Sequence, residues 1–395
     1  MTPPDIPLHS ADRLHGLVDE LHARQPLPAE WRNAFTEVPR AIFVPAWYEH
    51  GLDERGISVW QLRDATDDRE RWLQAVYSDE TLVTALDPAT AEKVGDRAWT
   101  GVASSSSTAP GLVAGMLTEL QLESGHRVLE IGTGTGYNTA LLSARLGPQL
   151  VYSIDIDPGL VETARTRLAE LGYAPLLAVG DGRNGHPAGG PYDRVIATCS
   201  VTRIPEAWIR QTRPGGMILT DLALGIDGGI VRLVVDPDGG ATGGFTATSG
   251  RFMPARSDAT TYPVRERAAY RPESGTRRTA VSAADIQEQY GFRIALSLAL
   301  PEAELVHHLD DAGGPTSIQF QQPDGSWART PVGTTDHPPT VTYGGDGALW
   351  ERVEAEWARW NEQGRPGHTA YGIALDPDGT MRGWRTTDNY VWPVG

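Results

Sequence analysis

One cysteine, Cys199, stands among 395 residues, and a single lysine, Lys93, among 34 Lys and Arg side chains. The first scarcity excludes an internal disulfide and any cysteine-built zinc site. The second reads as the codon bias of a high-GC bacterial genome and carries no structural weight. Long apolar runs are missing: no stretch approaches the ~20 residues that a membrane-spanning helix needs. The start MTPPDIPLHS has neither the basic nor the apolar part of an export signal. Cationic surplus is lacking too. Lys and Arg total 34 against 51 Asp and Glu, a formal charge of −17, so the basic footprint of a nucleic-acid partner is absent. With 40% hydrophobic residues the composition is nonetheless globular, and the length accommodates two or three domains of ~100–200 residues. The expectation is a soluble, reduced, cytoplasmic enzyme or binding protein, with no metal and with neither nucleic acid nor membrane as partner.

Ser10 is the expected N-cap of an amphipathic helix over 11–23, where Leu14, Leu17, Val18 and Leu21 recur at helical spacing. A second helix over 31–44 is broken at Val38-Pro39. Residues 52–75, rich in Arg and Asp with Trp60, Leu62 and Trp72 as apolar anchors, read as a solvated insertion without chemistry. From 111 onward short apolar strands alternate with amphipathic helices: helix 112–122, strand 127–131, helix 137–146, strand 151–156, helix 159–171, strands 176–179 and 194–198, helix 205–212, strand 217–222. Such alternation builds βαβ units and a parallel sheet. Asp236-Pro237-Asp238-Gly239-Gly240 is a turn signal between the apolar run 230–235 and the segment around Phe245, so an antiparallel pair is expected there. Residues 257–280, polar and without period, read as a linker into a separate C-terminal unit. There Trp350, Val353, Trp357 and Trp360 follow i, i+3, i+7, i+10 on a helix ending near Gln363-Gly364. Aromatics at that spacing read as core.

The chemistry is concentrated in VLEIGTGTGY at 128–137, a strand that ends in a glycine turn and opens a helix. Glycines let the backbone pass close to a ligand, and the helix N-terminus offers free N–H groups. A bare GxGxG also suits a dinucleotide. Here Glu130 precedes the first glycine by two residues, and the third glycine comes one residue too early for GxGxxG. The candidates for donor contact are Glu130, Gly132, Thr133, Gly134, Thr135, Gly136 and Tyr137, joined by Ile156 and Thr198 at later strand ends. Asp155 ends the next strand 23 residues after Gly132, where a carboxylate accepts both ribose hydroxyls of an adenosyl group. Its alternative is an N-cap before Pro158, a role that Asp157 fits better. Asp181-Gly182 ends the third strand and either meets the adenine amino group or forms a plain turn. Three such strand ends together point to S-adenosylmethionine.

With these residues the chain resembles the protein-L-isoaspartate O-methyltransferases. The resemblance runs through VPRAIFVP at 38–45, Tyr77-Ser78-Asp79, Ser106-Ser107-Thr108-Ala109-Pro110, VLEIGTGTGYNTALL at 128–142, GDG at 180–182, PYDRVI at 191–196, RPGG at 213–216 and RFMP at 251–254, covering about residues 10–256. It implies an α/β fold: a class I S-adenosylmethionine-dependent methyltransferase (Rossmann-like) core with N-terminal helices, to which the surplus length adds a C-terminal α+β domain. The expected division is 1–256 for the catalytic core, helical over 1–110 and a donor-binding sheet over 111–256, and 257–395 for linker and extension, a region that would recognise peptide. The resemblance further implies S-adenosyl-L-methionine as donor and a peptide carboxylate as acceptor. Where the family has Thr-Ile-Ser before its Xaa-Pro, with the serine on the acceptor carboxylate, Thr108 holds the matching position within a run of hydroxyls. Ser106, Ser107 and Thr108 are therefore the candidate catalytic residues, and Asp79, Ser105 and Arg251 the candidate substrate contacts. The same hydroxyl run reads alternatively as an N-cap for the helix that follows.

The serine run and the continuation past 256 look like the subgroup that tailors ribosomally made peptides such as graspetides, lanthipeptides and lasso peptides. ATCSV at 197–201 and the segment 349–367 are similar to it. In that subgroup the acceptor is an ordinary aspartate side chain of a cyclised precursor peptide, and the methyl ester closes to a succinimide (aspartimide). Two other expectations stand beside it: isoaspartyl repair of damaged proteins, and a non-catalytic S-adenosylmethionine-binding protein that recruits a peptide to partner enzymes. An aspartate carboxyl, with reference pKa ~3.9, is already ionised at neutral pH. In-line displacement at the donor methyl then needs no general base, and the protein's task is alignment, a contribution of ~7–11 kcal/mol. A chain of charge −17 repels an acidic peptide, though salt screens this beyond roughly 8 Å. Arg203, Arg251 and Arg256 are candidates for local compensation. The oligomeric state stays open.

Overall fold

The computed structural model describes residues 9–257, 268–310, 313–333, 338–386 and 390–393. Two compact units separate, one from Met1–Ser200, Pro205–Thr220 and Phe252–Pro263, the other from Val201–Ile204, Asp221–Arg251 and Val264–Gly395.

The first unit opens with α1 (His9–Arg24), α2 (Ala29–Glu37) and α3 (Arg40–Phe43). Helix α1 starts one residue before Ser10, which therefore falls inside its first turn. Leu14, Leu17, Val18 and Leu21 are all buried, as their spacing requires. Pro39 has no N–H and biases Val38 to an extended conformation, which separates α2 from α3.

There follow β1 (Ala46–Leu52), β2 (Ser58–Asp64), α4 (Arg69–Val76), β3 (Leu82–Leu86), β4 (Glu92–Lys93), β5 (Ala98–Thr100) and β6 (Ala103–Ser107). The strands form one antiparallel sheet in the order β4-β5-β2-β1-β3-β6. This corrects the reading of 52–75 as a solvated insertion. The charges that suggested solvent are spent in pairs, Arg63 and Arg71 on Glu49 and Arg97 on Asp64, while Trp47, Val59, Trp72 and Leu73 supply a buried layer between the hairpin and α4.

The serine run is likewise an edge strand, β6. Helix α5 (Pro110–Glu119) is preceded by Ala109 with no side-chain cap of its own, which overturns the capping alternative. Asp79 takes that role from a distant loop, accepting the Gly111 N–H at 2.6 Å.

The α/β region continues with β7 (Val128–Ile131), α6 (Tyr137–Leu146), β8 (Val151–Asp155), α7 (Pro158–Glu170), β9 (Leu176–Val179), β10 (Tyr192–Val201), α8 (Glu206–Gln211) and β11 (Thr212–Ala223). Strands β10, β7, β8 and β9 lie in that order and are parallel, with Arg194 opposite Val128, Val128 opposite Val151 and Tyr152 opposite Leu176. Every residue of β7 is buried, as a central parallel strand demands. Chain order runs outward from β7 to β9 and then returns to its other side at β10. That reversal is the topological switch point, where open α/β sheets bind ligands beyond the carboxyl ends of their strands.

The second unit holds β12 (Gly228–Val235), β13 (Ala241–Phe245), β14 (Glu273–Arg278), α9 (Ala283–Glu288), α10 (Tyr290–Ala299), β15 (Glu304–Leu309), β16 (Pro315–Gln321), β17 (Trp327–Pro331), β18 (Thr340–Gly344), α11 (Ala348–Glu362), β19 (Tyr371–Leu375), β20 (Met381–Arg385) and β21 (Val391–Pro393). Strands β12 and β13 make the expected antiparallel pair and extend through β19 and β20 to β21. A second antiparallel sheet runs β14-β18-β17-β16-β15. The expected linker therefore contains a strand, β14; its exposed, charged side chains are typical of a sheet edge and hide the period. Residues 258–267 of that linker lie outside the described residues. On α11, Trp350, Val353 and Trp360 are buried and Trp357 stacks on Trp360 at 5.4 Å, so the aromatic stripe is core. Among the described residues no helix is long and apolar enough to cross a membrane.

Candidate functional site

Strand β7 delivers the chain into a turn where Gly132, Gly134 and Gly136 have φ of 95°, 52° and 89°. Side chains are disfavoured in this left-handed region by about 1–2 kcal/mol. Space adds to the requirement at two of the three. A Cβ on Gly132 would stand 2.8 Å from Thr198 Oγ1, and one on Gly136 3.0 Å from Ala164 Cβ. Thr198, from β10, donates its hydroxyl to the Gly132 carbonyl at 2.8 Å and so joins both sides of the switch point.

Gly134 sets the relation between the turn and two other candidates. Its N–H donates to Asp155 Oδ2 at 2.9 Å, and a methyl on its Cα would touch Ser105 Oγ at 3.8 Å and Ser106 O at 3.9 Å. The hydroxyl strand thus runs alongside the glycine turn. Asp155 is nearly buried, and burial raises its pKa against the lowering effect of the Gly134 and Asp157 N–H groups. Those two bonds use two of about four acceptor directions on the carboxylate. The remaining ones suit the paired hydroxyls of a ribose, so the residues present fit an adenosyl group. Asp157, by contrast, is the N-cap of α7, accepting from Gly159 and Leu160 N–H at 2.8 and 3.1 Å.

Glu130 does not face a ligand space. It is fully buried and accepts from Asn138 Nδ2 at 2.7 Å, from Ser153 Oγ at 2.6 Å and from Thr139 Oγ1. Ser153 in turn meets Thr133 Oγ1 at 2.6 Å. This network ties the turn, β8 and the first helical turn of α6 together from beneath. Burial pushes the Glu130 carboxyl up to about 7, against the pull of those three donors.

Tyr137 is also buried, its ring packed against Phe35 and Phe43. Asp181 accepts the Arg183 N–H at 2.9 Å and pairs with its guanidinium, which holds its pKa below the ordinary carboxylate value. Gly182 is required beside it, since a Cβ there would lie 2.4 Å from Ile131 Cγ2. Thr135 is buried and Ile156 half-buried at the adjoining strand end.

The hydroxyl strand is held by a residue to which the sequence assigned no role. Arg40 is fully buried and donates to Ser107 Oγ and to the carbonyls of Val76, Ser78, Glu80, Ser107 and Thr108, at 2.9–3.2 Å. Burial lowers its pKa to about 10, against the field of Tyr137, Asp79 and Glu80. The signal was present as a lone charge inside the apolar run VPRAIFVP. Ser105 and Ser107 are buried, whereas Ser106 and Thr108 are half-buried. Asp79, besides capping α5, pairs with Arg24 at 2.9 Å. Arg251 belongs to the second unit, where Asp221 and Asp227 lie 3.5 and 3.3 Å from its guanidinium.

A parallel sheet with a glycine turn at its switch point and an acidic residue ending the next strand defines a class I S-adenosylmethionine-dependent methyltransferase fold. Residues 68–255 match the family model described as Protein-L-isoaspartate(D-aspartate) O-methyltransferase (PCMT). A protein-L-isoaspartate O-methyltransferase of Anaeromyxobacter dehalogenans is 40% identical over 147 residues, 37% of this chain and 69% of that protein. The chain belongs to the protein-L-isoaspartate O-methyltransferase family.

An Ignicoccus hospitalis protein of the same name is 43% identical over 114 residues, 28% of this chain; the chain spans about half of that relative's length, 54%. A solved structure named protein-L-isoaspartate O-methyltransferase has the same fold, with a TM-score of 0.51 at 18% identity over 95% of this chain and 99% of its own.

Proposed function

We propose that this protein is an S-adenosylmethionine-dependent carboxyl O-methyltransferase whose acceptor is an aspartate-derived carboxylate of a peptide. The observation that carries the reading is the approach of the hydroxyl strand to the donor turn, where a methyl on Gly134 would meet the Ser105 hydroxyl and the Ser106 carbonyl. It brings groups suited to a carboxylate next to groups suited to an adenosyl donor. The donor, when bound, supplies an electrophilic methyl on a sulfonium. Asp155 and the glycine turn hold it. Hydroxyls of Ser106 and Thr108 orient the acceptor by hydrogen bonds while leaving an oxygen lone pair free for in-line attack. Arg40 fixes the strand that presents them, so little rotational freedom is lost on reaction.

In the finer form of the proposal the acceptor is an aspartate side chain of a modified ribosomal peptide, of graspetide, lanthipeptide or lasso type. The following backbone nitrogen then attacks the ester and expels methanol, leaving a succinimide. The replacement of Thr-Ile-Ser by a serine run supports this form. Isoaspartyl repair is supported by the names of the matching relatives, and the two forms share every residue role above. Mass spectrometry separates them. Incubation with donor and a cyclised, Asp-containing precursor peptide gives methyl gain followed by methanol loss; turnover of an isoaspartyl test peptide alone assigns the protein to repair.

A further inference from the structure

The antiparallel sheet β4-β5-β2-β1-β3-β6 has two unlike faces. One is buried against α4 and carries Trp47 and Val59. Pairing puts the outer face together without ambiguity: Ser106 stands opposite Val83, Val83 opposite Tyr48, His50 opposite Trp60, Trp60 opposite Trp99, and Trp99 opposite Lys93. Directly opposed residues of antiparallel strands share a face. Half-buried Ser106, whose carbonyl lies beside the donor turn, therefore has its side chain on the same surface as Tyr48, Trp60 and Trp99.

Those aromatics form an open platform. The Tyr48 and Trp99 rings meet edge-on at 5.6 Å, and His50 and Trp60 at 4.9 Å. All remain half-buried or exposed, and Leu52 on the same face is 69% exposed. Lys93 caps the platform 5.7 Å from the Trp99 ring. Among the described residues it has no carboxylate partner, unlike Arg63, Arg71 and Arg97 of the same subdomain. An uncompensated cation beside exposed aromatic area, on a chain of charge −17, is complementary to an acidic peptide with an apolar side chain.

We infer that this outer face is the docking surface for the peptide acceptor, a reading that rests on the proposed function. The peptide crosses the sheet with its reacting aspartate at Ser106 and an aromatic or aliphatic side chain on the Tyr48–Trp60–Trp99 platform. Two strand spacings separate Ser106 from Tyr48, about 10 Å, which an extended peptide covers in about three residues. Specificity for an apolar residue three positions from the accepting aspartate follows.

The test uses the full-length protein and fluorescein-labelled peptides with one Asp and two flanking Glu, carrying either Phe or Ser three positions away on both sides. Anisotropy is expected to show the Phe peptide bound about tenfold tighter, the effect of one buried aromatic anchor. Trp99→Leu removes that discrimination and leaves S-adenosylhomocysteine binding unchanged by calorimetry. Equal affinity of the wild type for both peptides, or full discrimination in folded Trp99→Leu, overturns the inference. Should Trp99→Leu not fold, the exposed substitution Lys93→Gln decides: a several-fold loss of affinity supports the surface and unchanged affinity overturns it. Because the readout is binding, a peptide that docks through Trp99 but is never methylated sinks the proposed reaction and not the surface. Methylation indifferent to Trp99 does the reverse.

Discussion

Arg40 Nε donates to Ser107 Oγ at 3.2 Å, while Nη2 of the same guanidinium holds the Ser107 and Thr108 carbonyls at 3.0 and 3.2 Å. One side chain thus fixes both backbone and hydroxyl of the strand that borders the donor turn. Replacing it by Met leaves several buried carbonyls unpaired, each costing about 1–3 kcal/mol unless water enters. Arg40→Met is expected to lose at least about 3 kcal/mol in urea denaturation, and Arg40→Lys, lacking the planar fork, more than half of that. A loss under about 1 kcal/mol contradicts this role.

Gly132 is the second point of rigidity. An added methyl meets both a left-handed φ and Thr198 Oγ1 at 2.8 Å. Gly132→Ala should cost about 1–3 kcal/mol of stability and displace Thr198 from the Gly132 carbonyl. S-adenosylhomocysteine titration should show at least tenfold weaker binding; wild-type affinity in a folded variant refutes the placement of the turn.

The two aspartates after β8 differ in role despite lying two residues apart. Asp155→Asn removes a charged acceptor and should weaken donor binding about tenfold or more, in line with hydrogen bonds to charged groups. Asp157→Ala removes an N-cap and should cost about 1 kcal/mol of stability with donor affinity intact. Calorimetry and thermal melts on both variants check the pair, and an exchange of phenotypes reverses the assignment.

Glu130 confers a pH dependence whose sign is fixed. Its folded pKa, about 7, lies above the ordinary value of 4.5. The native state therefore retains a proton that the unfolded chain has released across that interval. The stability contributed by the neutral carboxyl is full below about pH 4.5, falls as pH rises through the window, and is gone above about 7. Glu130→Gln stays neutral, so its stability relative to wild type should rise from about pH 5 to about pH 8. Urea midpoints that differ by the same amount at every pH are incompatible with a buried, titrating carboxyl.

How legible these features were in the sequence varied with their physics. Strands β7 and β9 and helix α6 were readable because apolar runs, glycines and helical periodicity act locally. The hairpin β1–β2 was not, because its outer face carries Tyr48, Trp60 and Leu62 where a half-exposed strand normally alternates to polar residues. Its charges are neutralised only by partners on neighbouring elements. The serine run looked like a cap because β-propensity there is weak; long-range pairing with β3 and the bonds to Arg40 make it a strand. In the site, Asp155 and the glycines were recognisable by position at strand ends. Glu130 shared that position yet points into the core, since alternation along β7 and its partners Asn138, Thr139 and Ser153 decide its direction.

The central claim is that a methyl group reaches a peptide carboxylate. Incubation with methyl-labelled S-adenosylmethionine and a mixture of cyclised Asp-containing and isoaspartyl peptides, followed by treatment with base, tests it directly. The expected result is label recovered as volatile methanol, released by base from the peptide ester or set free during incubation as the succinimide closes. Label that stays on the peptide through base, or no labelled methanol at all from protein that binds the donor, would contradict it.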